Sequence, residues 1–520
     1  MRVVVLDNLR RWGWDLAVLL VGVVVIAALL QKNHRFFHDD AFISLRYARN
    51  LAETGLAQWN PGEWVEGYTS FLHVALSGGL IQLGMAPTAA VFWLNALALL
   101  TLLLLSAKST RTIAPEPEMR LARASAILAV AGSSSLAIWV LGGLEAVIAA
   151  AFLAAGLAAI LTCLHRPCRS QLALASLAFS GAILTRLDAS VFIVGAGVGF
   201  FLVMRGSPRQ RLISAGTIVG VPAAVAFVQM AVRLQLYEEF FPLTFYAKTS
   251  LPFLERVSQG FRYVARALVD VPVVAFSLLV LPLALAAGRV RGATPLIFFP
   301  IAFHLTYVVW AGGDHMPAAR MLVPLIVPAA WLVLSFSSEL SRTAGASLVC
   351  AMAVATLTQG TFRPPQLKDP AAFVGEIVGH CIDETWPRGI SVALNTAGST
   401  PFYASDGRNF IDMLGLNDPV IAKRRDVPII TRGQNLPGHH KGDGAYVLSR
   451  SPNRIIVGPA EGTDVSSAWF LSGAELAQMP EFRRCYKKVV EEIPYSQKIA
   501  ALGPPKPNPL IFTYYDRTCQ

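Results

Sequence analysis

Charged residues are scarce in this chain: Asp, Glu, Lys and Arg make up 15% of its 520 residues, against about 25% in a typical soluble protein. The deficit is uneven, because residues 361–520 hold 34 charged residues in 160 positions whereas residues 1–360 hold only 43. This composition excludes a purely soluble enzyme. It predicts a membrane-embedded module over 1–360, followed by a soluble domain over 361–520.

Recognisable ligand motifs are also few. The six cysteines form no C-x-x-C pair, which excludes a zinc ribbon and a disulfide-dense scaffold. The sequence has neither a G-x-x-x-x-G-K-[ST] phosphate loop nor an H-E-x-x-H metal helix. The excess of 44 Lys and Arg over 33 Asp and Glu does not predict nucleic-acid binding, because most basic residues lie in short gaps between apolar runs.

Long apolar runs dominate the first 360 residues, and most approach the roughly 20 residues that span a bilayer as a helix. They lie near 16–30, 68–84, 88–107, 124–141, 144–163, 171–185, 189–204, 212–233, 271–287, 294–311, 318–337 and 344–360. The predicted fold class is therefore a mostly α polytopic membrane protein with a C-terminal soluble α/β domain.

Basic residues predict the orientation, since they favour the cytoplasmic side of a membrane. They cluster in 1–15, 108–123, 166–169, 205–211 and 289–291, and at Arg342. All of these basic gaps can lie on the cytoplasmic side only if the apolar run 68–84 does not cross the membrane. We therefore expect this run to be re-entrant or interfacial. The result is about eleven transmembrane helices in the plasma (inner) membrane, with a cytoplasmic N-terminus and an extracytoplasmic C-terminal domain.

The same alternation brings the polar segments to the outer side, where we expect an active site facing away from cytoplasmic nucleotides. These segments are 31–67, 142–145, 185–188, 234–270, 312–317 and 361–520. Within the last of them, short strands are predicted at 390–394, 409–411, 445–448, 454–457 and 511–515. Helices are predicted near 371–381 and 474–478.

Two adjacent acids, Asp39 and Asp40, lie in the first outer segment, 31–67. The apolar residues after them are spaced as in an amphipathic helix lying along the membrane. The pair could merely cap that helix, where carboxylates are favoured. At the mouth of a multi-span bundle, a partly desolvated carboxylate is also suited to act as a general base.

A tight glycine turn at 312–317 carries Asp314 and His315, and Arg320 follows it. An arginine just inside a bilayer is costly, which makes it a functional-site candidate by default. Its fork of donors suits the oxyanions of phosphate. Binding of a lipid phosphate is the favoured interpretation, and a structural ion pair with Asp314 is the alternative.

Other polar segments carry candidates with a structural interpretation of equal weight. Glu66 and Tyr68 follow a Pro-Gly turn and could contact polar hydroxyls, although the turn explains the stretch unaided. Arg186 and Asp188 lie at the outer end of a run, where an internal ion pair would also satisfy them.

In three further segments a structural role competes with ligand binding. Residues 241–248, which include Tyr246 and Lys248, combine aromatic rings with a cation and could simply anchor the interface. The loops 395–398 and 412–418 could bind sugar, but structural turns are the favoured interpretation.

Several blocks of the sequence together point to one enzyme group. They are 39–48, 59–63, 65–70, 245–248, 312–317 with Arg320, and 411–418. In these blocks the chain resembles the polyprenyl-phosphate-sugar-dependent glycosyltransferases of the GT-C fold, and within them the terminal β-1,2-arabinofuranosyltransferase group. The blocks extend from residue 39 to residue 418, so the resemblance covers most of the chain.

The resemblance implies inverting transfer of a sugar, arabinofuranose being the best match, from a polyprenyl-phosphate donor to a cell-envelope glycan or glycoconjugate outside the membrane. It assigns the general base to Asp39, with Asp40 as an orienting or acceptor-binding neighbour. The donor phosphate is assigned to Arg320, Lys248 and His315. Sugar or acceptor binding is assigned to Arg46, Glu66, Tyr68, Arg186, Asp188, Tyr246 and Asp314.

Two segments depart from the group's pattern. Residues 185–189 read Thr-Arg-Leu-Asp-Ala where a proline and a glutamate are more usual, and 242–244 read Pro-Leu-Thr where Pro-Asn-Thr is expected. These departures concern contacts to the sugar rather than the enzyme class. No metal ligands and no cofactor are assigned, and assistance by a divalent cation stays open.

Two other classes of function compete with a transferase. A transporter or flippase for a lipid-linked sugar would need ionisable residues near the bilayer midplane and repeated halves with broken helices. The sequence has no obvious repeat of that kind. A scaffold whose outer domain binds cell-wall glycan is the third possibility, and mutation of Asp39 would leave its role intact.

Three cysteines fall in the outer domain: Cys381, Cys485 and Cys519. An oxidising compartment would allow one disulfide and leave one thiol over. Cys485 and Cys519, near the start and the end of the final segment, are the favoured pair.

Overall fold

The computed structural model describes residues 2–164, 169–248, 252–286, 288, 292–362, 370–404, 407–436, 438–496 and 506–519. Its first part is helical throughout. The helices are α1 (Arg2–Lys32), α2 (Asp39–Thr54), α3 (Phe71–Gln82), α4 (Pro87–Ile113), α5 (Arg120–Ala131), α6 (Ser134–Leu141), α7 (Ala146–Thr162), α8 (Arg169–Thr185), α9 (Ala189–Val203), α10 (Pro208–Tyr237), α11 (Leu243–Lys248), α12 (Phe253–Asp270), α13 (Pro272–Ala286), α14 (Thr294–Ala311), α15 (Ile326–Ser337) and α16 (Arg342–Phe362).

The membrane-embedded character of this module is confirmed. Within the described residues, seven helical segments are long and apolar enough to cross a bilayer: α1, α4, α5 together with α6, α10, α14, Arg320–Ser337 with α15, and α16. An eighth candidate, α12 with α13, is bent by 108°. Three 15- to 17-residue helices, α7, α8 and α9, complete the set. Each of the eleven runs expected to cross thus coincides with a helix or a helix pair.

Helix α3 corresponds to the run that we expected not to cross. Its 12 residues extend about 18 Å at 1.5 Å per residue, which is short of the ~30 Å hydrocarbon core. It packs closely on α2, because a Cβ atom on Gly78 would lie 3.0 Å from the backbone oxygen of Ala48. The structure therefore agrees with a re-entrant or interfacial segment.

Helix α2 forms where its apolar spacing predicts, but not on an exposed membrane surface. It ends at Gly55, whose left-handed φ of 76° favours glycine. Every residue from Ala41 to Ala48 is buried. The predicted helix is therefore present but enclosed by the protein, because Phe42 and Leu45 pack against Phe402 of the C-terminal domain.

The C-terminal domain is a five-stranded sheet flanked by helices. Its helices are α17 (Pro370–Thr385), α18 (Ser399–Tyr403), α19 (Pro419–Lys423), α20 (Gly444–Ser449), α21 (Leu471–Gln478) and α22 (Pro480–Cys485), and its strands are β1 (Ser391–Leu394), β2 (Asn409–Asp412), β3 (Arg454–Ile456), β4 (Tyr486–Ile493) and β5 (Leu510–Arg517). The order across the sheet is β2-β1-β3-β5-β4. β1 pairs in parallel with β2 and β3, whereas β5 is antiparallel to β3 and β4.

Two sequence-based assignments in this domain need correction. Residues 445–448 were predicted as a strand but lie in helix α20, where the Asp443 carboxylate accepts a hydrogen bond from Tyr446 N at 2.9 Å and caps the first turn. Strand β4 was missed because its Tyr-Lys-Lys-Val-Val-Glu-Glu-Ile sequence is too charged to stand out. It is an edge strand, where charge is tolerated.

The predicted disulfide is present: Cys485 and Cys519 are bonded, whereas Cys381 is a free thiol. Alkylation of unfolded protein without reductant should therefore modify Cys381 and leave the peptides of Cys485 and Cys519 unmodified. Reductant before alkylation should expose both. Peptide mass spectrometry checks this, and modification of all three cysteines without reductant would contradict it.

Candidate active site

A cavity of about 930 Å³ lies between the C-terminal domain and the ends of the helices that face this domain. Its wall includes eight of the predicted site residues: Asp39, Asp40, Tyr68, Arg186, Asp188, Asp314, His315 and Arg320. Aromatic and aliphatic side chains form another part of the wall: Phe241, Phe245, Phe303, Trp310, Leu187, Val191 and Met321. The cavity thus joins a cluster of charges to an apolar surface.

The acid pair forms the first turn of α2, and its two members have different surroundings. Asp39 is only 8% exposed, and its Oδ1 accepts hydrogen bonds from the backbone N–H and the hydroxyl of Ser399 at 2.8 and 2.7 Å. Asp40 is half-buried. Its backbone N–H donates to His38 Nδ1 at 3.2 Å, and burial lowers the pKa of His38, which favours the neutral ring that can accept this bond.

Gly398 leaves the space that Asp39 needs. A Cβ atom there would lie 2.2 Å from the backbone oxygen of Asp39 and 2.3 Å from its Oδ2. A larger residue at 398 would therefore displace either the acid or the domain. The C-terminal domain consequently contributes directly to the surroundings of the candidate base.

Arg320 follows a strained loop. Ala318 and Ala319 adopt left-handed φ angles of 54° and 48°, which costs about 1–2 kcal/mol per residue for a side chain with a Cβ. Arg320 Nε donates to Asp314 Oδ2 at 3.0 Å, so the predicted structural pair exists. Within the described residues, no hydrogen bond is found from the two terminal nitrogens of Arg320, and its guanidinium lies 5.8 Å from the centroid of the Trp139 ring.

Arg186 and Asp188 form an ion-paired cluster in the cavity wall. Arg186 binds Asp188 through two nitrogens, at 3.0 and 2.8 Å, and donates from Nη1 to Glu145 Oε1 at 2.7 Å. The internal ion pair considered from the sequence is therefore present. Two carboxylates share one guanidinium, so the cluster presents net negative charge to the cavity.

Three predicted sugar-binding residues do not line this cavity. The guanidinium of Arg46 lies 4.9 Å from the ring centroid of Trp59 and donates to backbone oxygens in both modules. Glu66 forms a buried ion pair with Arg233. Tyr246 lies against Lys423, and the side chain of Lys248 is outside the described residues. These contacts explain why Arg46 and Glu66 lie outside the cavity wall, and their assignment to the sugar stays a prediction.

The block 411–418 joins the C-terminal domain to the segment 31–67. Tyr47 donates from its hydroxyl to Asn417 Oδ1 at 3.1 Å and accepts the Gly67 N–H at 3.0 Å. Asp412 accepts from the backbone and side-chain nitrogens of Asn417 at 2.9 and 3.0 Å. Burial raises the pKa of Asp412 to about 6 in spite of these bonds. This part of the block is the structural turn that we favoured.

The C-terminal domain supplies cavity residues that the sequence did not indicate, namely His439, Trp469 and Phe470. The rings of His439 and Phe470 are stacked at 5.6 Å, and the His315 ring lies 4.7 Å from that of His439. No motif marks these residues. Asn395, from a loop interpreted as a turn, also lines the cavity, and its Nδ2 is buried with no partner among the described residues.

Metal binding was left open by the sequence. Within the described part of the chain, no group of three or more His, Cys, Asp and Glu side chains is arranged to hold an ion. A divalent cation therefore has no candidate ligand set in this part of the structure.

Comparison with known proteins identifies the architecture. ArnT from Cupriavidus metallidurans bound to undecaprenyl phosphate is 15% identical, matches over 76% of this chain and 86% of its own, and has a TM-score of 0.50. The chain has a GT-C fold. This similarity extends to the fold alone.

The remaining comparisons give less information about this chain. The oligosaccharyltransferase AglB from Archaeoglobus fulgidus, in complex with an inhibitory peptide and a dolichol-phosphate, is 13% identical, with a TM-score of 0.47 over 86% of this chain and 69% of its own. A family profile described as a domain of unknown function, DUF8728, matches residues 366–502, within the C-terminal domain. No curated protein matches this chain.

Proposed function

We propose that this protein is a membrane glycosyltransferase that moves a sugar from a polyprenyl-phosphate donor to an envelope glycan or glycoconjugate. One observation carries the proposal: a single cavity holds buried Asp39 with half-buried Asp40, Arg320 with two terminal nitrogens that donate to no described residue, and an apolar wall. The wall suits a polyprenyl chain, the arginine suits its phosphate and the acids suit an acceptor hydroxyl. Undecaprenyl phosphate bound to ArnT, a protein of the same fold, supports the donor class.

The proposed reaction is a single displacement. Asp39 takes the proton of an acceptor hydroxyl through Oδ2, since Oδ1 is held by Ser399. The freed oxygen bonds to the anomeric carbon as the bond from that carbon to the phosphate oxygen breaks. Polyprenyl phosphate leaves with the electron pair, and Arg320, His315 and Lys248 stabilise its charge. Attack opposite the leaving group inverts the anomeric carbon.

The finer assignments rest on the resemblance and the cavity wall. Arabinofuranose is the proposed donor sugar. Tyr68, Arg186, Asp188 and Asp314 are the wall residues proposed to contact the sugar or the acceptor, and Tyr246 is retained as a more distant candidate. The proposed divisions are a catalytic module over 1–360 and an extracytoplasmic domain over 361–520.

A donor panel tests the proposal as a whole. Purified protein in lipid nanodiscs would be mixed with polyprenyl-phosphate pentoses and hexoses and with envelope glycan. We expect one donor to release free polyprenyl phosphate and to label the glycan, with the opposite anomeric configuration. Movement of intact donor across the bilayer of a vesicle, with no release of lipid phosphate, would instead support a flippase.

The side on which the reaction takes place is also a proposal. Basic loops favour a cytoplasmic N-terminus and an outer C-terminal domain. The first outer segment and the domain are hydrogen-bonded to each other, so the chain must cross an even number of times between them. The ten helices or helix pairs proposed to cross between residues 67 and 370 satisfy this condition.

Cysteine labelling checks the topology. In a Cys381→Ser background, a membrane-impermeant maleimide applied to intact cells should modify Glu384→Cys but not Glu116→Cys. Permeabilised cells provide the control, because both sites should then react. Labelling of both positions in intact cells would overturn the proposed orientation.

Ser399 offers a test of how Asp39 is positioned. Ser399→Ala removes one of two donors to the ionised carboxylate, so the acidic limb of the pH–activity profile should move up by roughly one pH unit. Turnover at high pH should fall less than at low pH. A uniform loss at all pH values would assign Ser399 to folding alone, and Ser449→Ala, on the exposed end of α20, is the matched control.

A further inference from the structure

A second cavity, of about 690 Å³, adjoins the first. It lies between α12, the loop that precedes Arg320, and Asn435 and Leu436 of the outer domain. The volume is within the range of small-molecule sites. The proposed mechanism above does not use it.

Helix α12 has two chemically different faces. Phe253, Leu254, Phe261 and Val269 are exposed apolar residues, as expected for a helix lying in a membrane interface. The residues that it turns to the second cavity are Glu255, Gln259, Arg262, Tyr263, Arg266 and Asp270. A mixed set of carboxylates, amide and guanidinium groups matches a polyhydroxylated ligand, because each hydroxyl both donates and accepts.

The position of α12 is fixed by close packing. A Cβ atom on Gly260 would lie 2.1 Å from Val309 O, and one on Gly313 would lie 2.4 Å from the Tyr263 ring. The Tyr263 hydroxyl also accepts the Met321 N–H at 3.1 Å. The polar face is therefore held at a constant distance from the main cavity.

The two cavities share a wall. Asp314, His315 and Pro317 line both of them, and the His315 ring lies 6.2 Å from the ring of His38, next to the acid pair. A ligand in the second cavity therefore ends close to the reacting groups. The main cavity has an apolar wall for a lipid, whereas this cavity is lined by charged and amide groups.

One atom points directly to a ligand. Gln259 Oε1 is buried and has no hydrogen-bond partner within the described residues. A buried carbonyl oxygen without a donor is costly, and a ligand hydroxyl would satisfy it.

We propose that the second cavity binds the glycan acceptor and holds its reactive end beside the loop of Asp314 and His315. This inference rests on the proposed glycosyl transfer and adds the site of the second substrate. Recognition is through Gln259 and Arg262, whose groups can contact the hydroxyls of successive sugar units.

The test measures acceptor kinetics with two defined probes, linear hexasaccharides of arabinofuranose and of mannose. Gln259→Met keeps the size of the side chain and removes its acceptor, and Arg262→Ala removes a charge. With whichever probe the wild type uses, each variant should raise the acceptor KM roughly tenfold, while kcat and the donor KM stay within about twofold. Ser258→Ala, on the same helix but outside the cavity, should change nothing.

The experiment distinguishes failure of the proposed acceptor site from failure of the proposed function. An unchanged acceptor KM in the folded double variant, Gln259→Met with Arg262→Ala, would overturn the acceptor site while leaving the glycosyl transfer intact. Failure of the wild type to release lipid phosphate would refute the proposed function itself. If the Arg262→Ala protein does not fold, Arg262→Lys replaces it. An unaltered acceptor KM in the double variant, Arg262→Lys with Gln259→Met, would equally overturn the proposed acceptor site.

Discussion

Asp39→Asn should lower turnover by about 10²–10⁴-fold, because it removes the proposed base while keeping the size of the side chain. The asparagine oxygen can still accept the two hydrogen bonds from Ser399, so the domain contact should survive. Binding of the donor should change little, since Asp39 is not assigned to the phosphate. Single-turnover kinetics with a saturating donor would measure the chemical step.

Asp40→Asn is the informative comparison. Asp39 and Asp40 are consecutive on a helix and point about 100° apart, so one group cannot readily replace the other. We expect Asp40→Asn to act mainly through the acceptor KM. If Asp40→Asn abolishes turnover and Asp39→Asn does not, the two roles are exchanged, and if neither does, the catalytic base lies elsewhere. Asp426→Asn, at an exposed site, controls for expression.

Arg320→Ala should weaken use of the donor by roughly 10–150-fold, the equivalent of about 1.5–3 kcal/mol for a charge-assisted contact. The loss should appear in kcat/KM for the donor, because phosphate charge grows as the leaving group departs. It would also leave Asp314 buried without its partner, so protein yield and unfolding temperature must be measured in parallel.

Two variants separate phosphate binding from ion pairing. Arg320→Lys keeps the charge but loses the fork, so it should recover only part of the activity. Arg342→Ala removes a surface arginine that pairs with Glu118 at 3.7 Å and should leave kinetics unchanged. Normal donor kinetics in a folded Arg320→Ala protein would assign Arg320 to structure.

The helices of the membrane module could be predicted well from the sequence, because a lipid-facing helix must be apolar along its whole length. Even the run around α3 could be singled out, since basic gaps fix the parity of crossings. The elements of the C-terminal domain were harder to predict. Strand β4 is rich in charged residues, whereas helix α20 has a composition typical of a strand. In both segments tertiary packing, rather than local propensity, determines the secondary structure.

Residues of the candidate site could be predicted where a short sequence motif carries the chemistry. The acid pair and the glycine turn before Arg320 both have one, and both line the cavity. Arg46 and Glu66 belong to blocks that look functional, yet Arg46 donates to Pro401 of the C-terminal domain and Glu66 pairs with Arg233 of the membrane module. Their buried partners lie far along the chain, which no local pattern reveals. Aromatic cavity residues such as His439 could not be predicted, because the sequence around them looks like that of an ordinary turn.

The bond between Asp39 and Ser399 has a consequence for biogenesis. The two residues are 360 positions apart, so at about 5–20 residues per second the second is synthesised tens of seconds after the first. During that interval the helices can insert while the acid pair still lacks its support. An unfinished chain therefore lacks the hydrogen bonds that Ser399 donates to Asp39, and the proposed site is complete only after the C-terminal domain has folded.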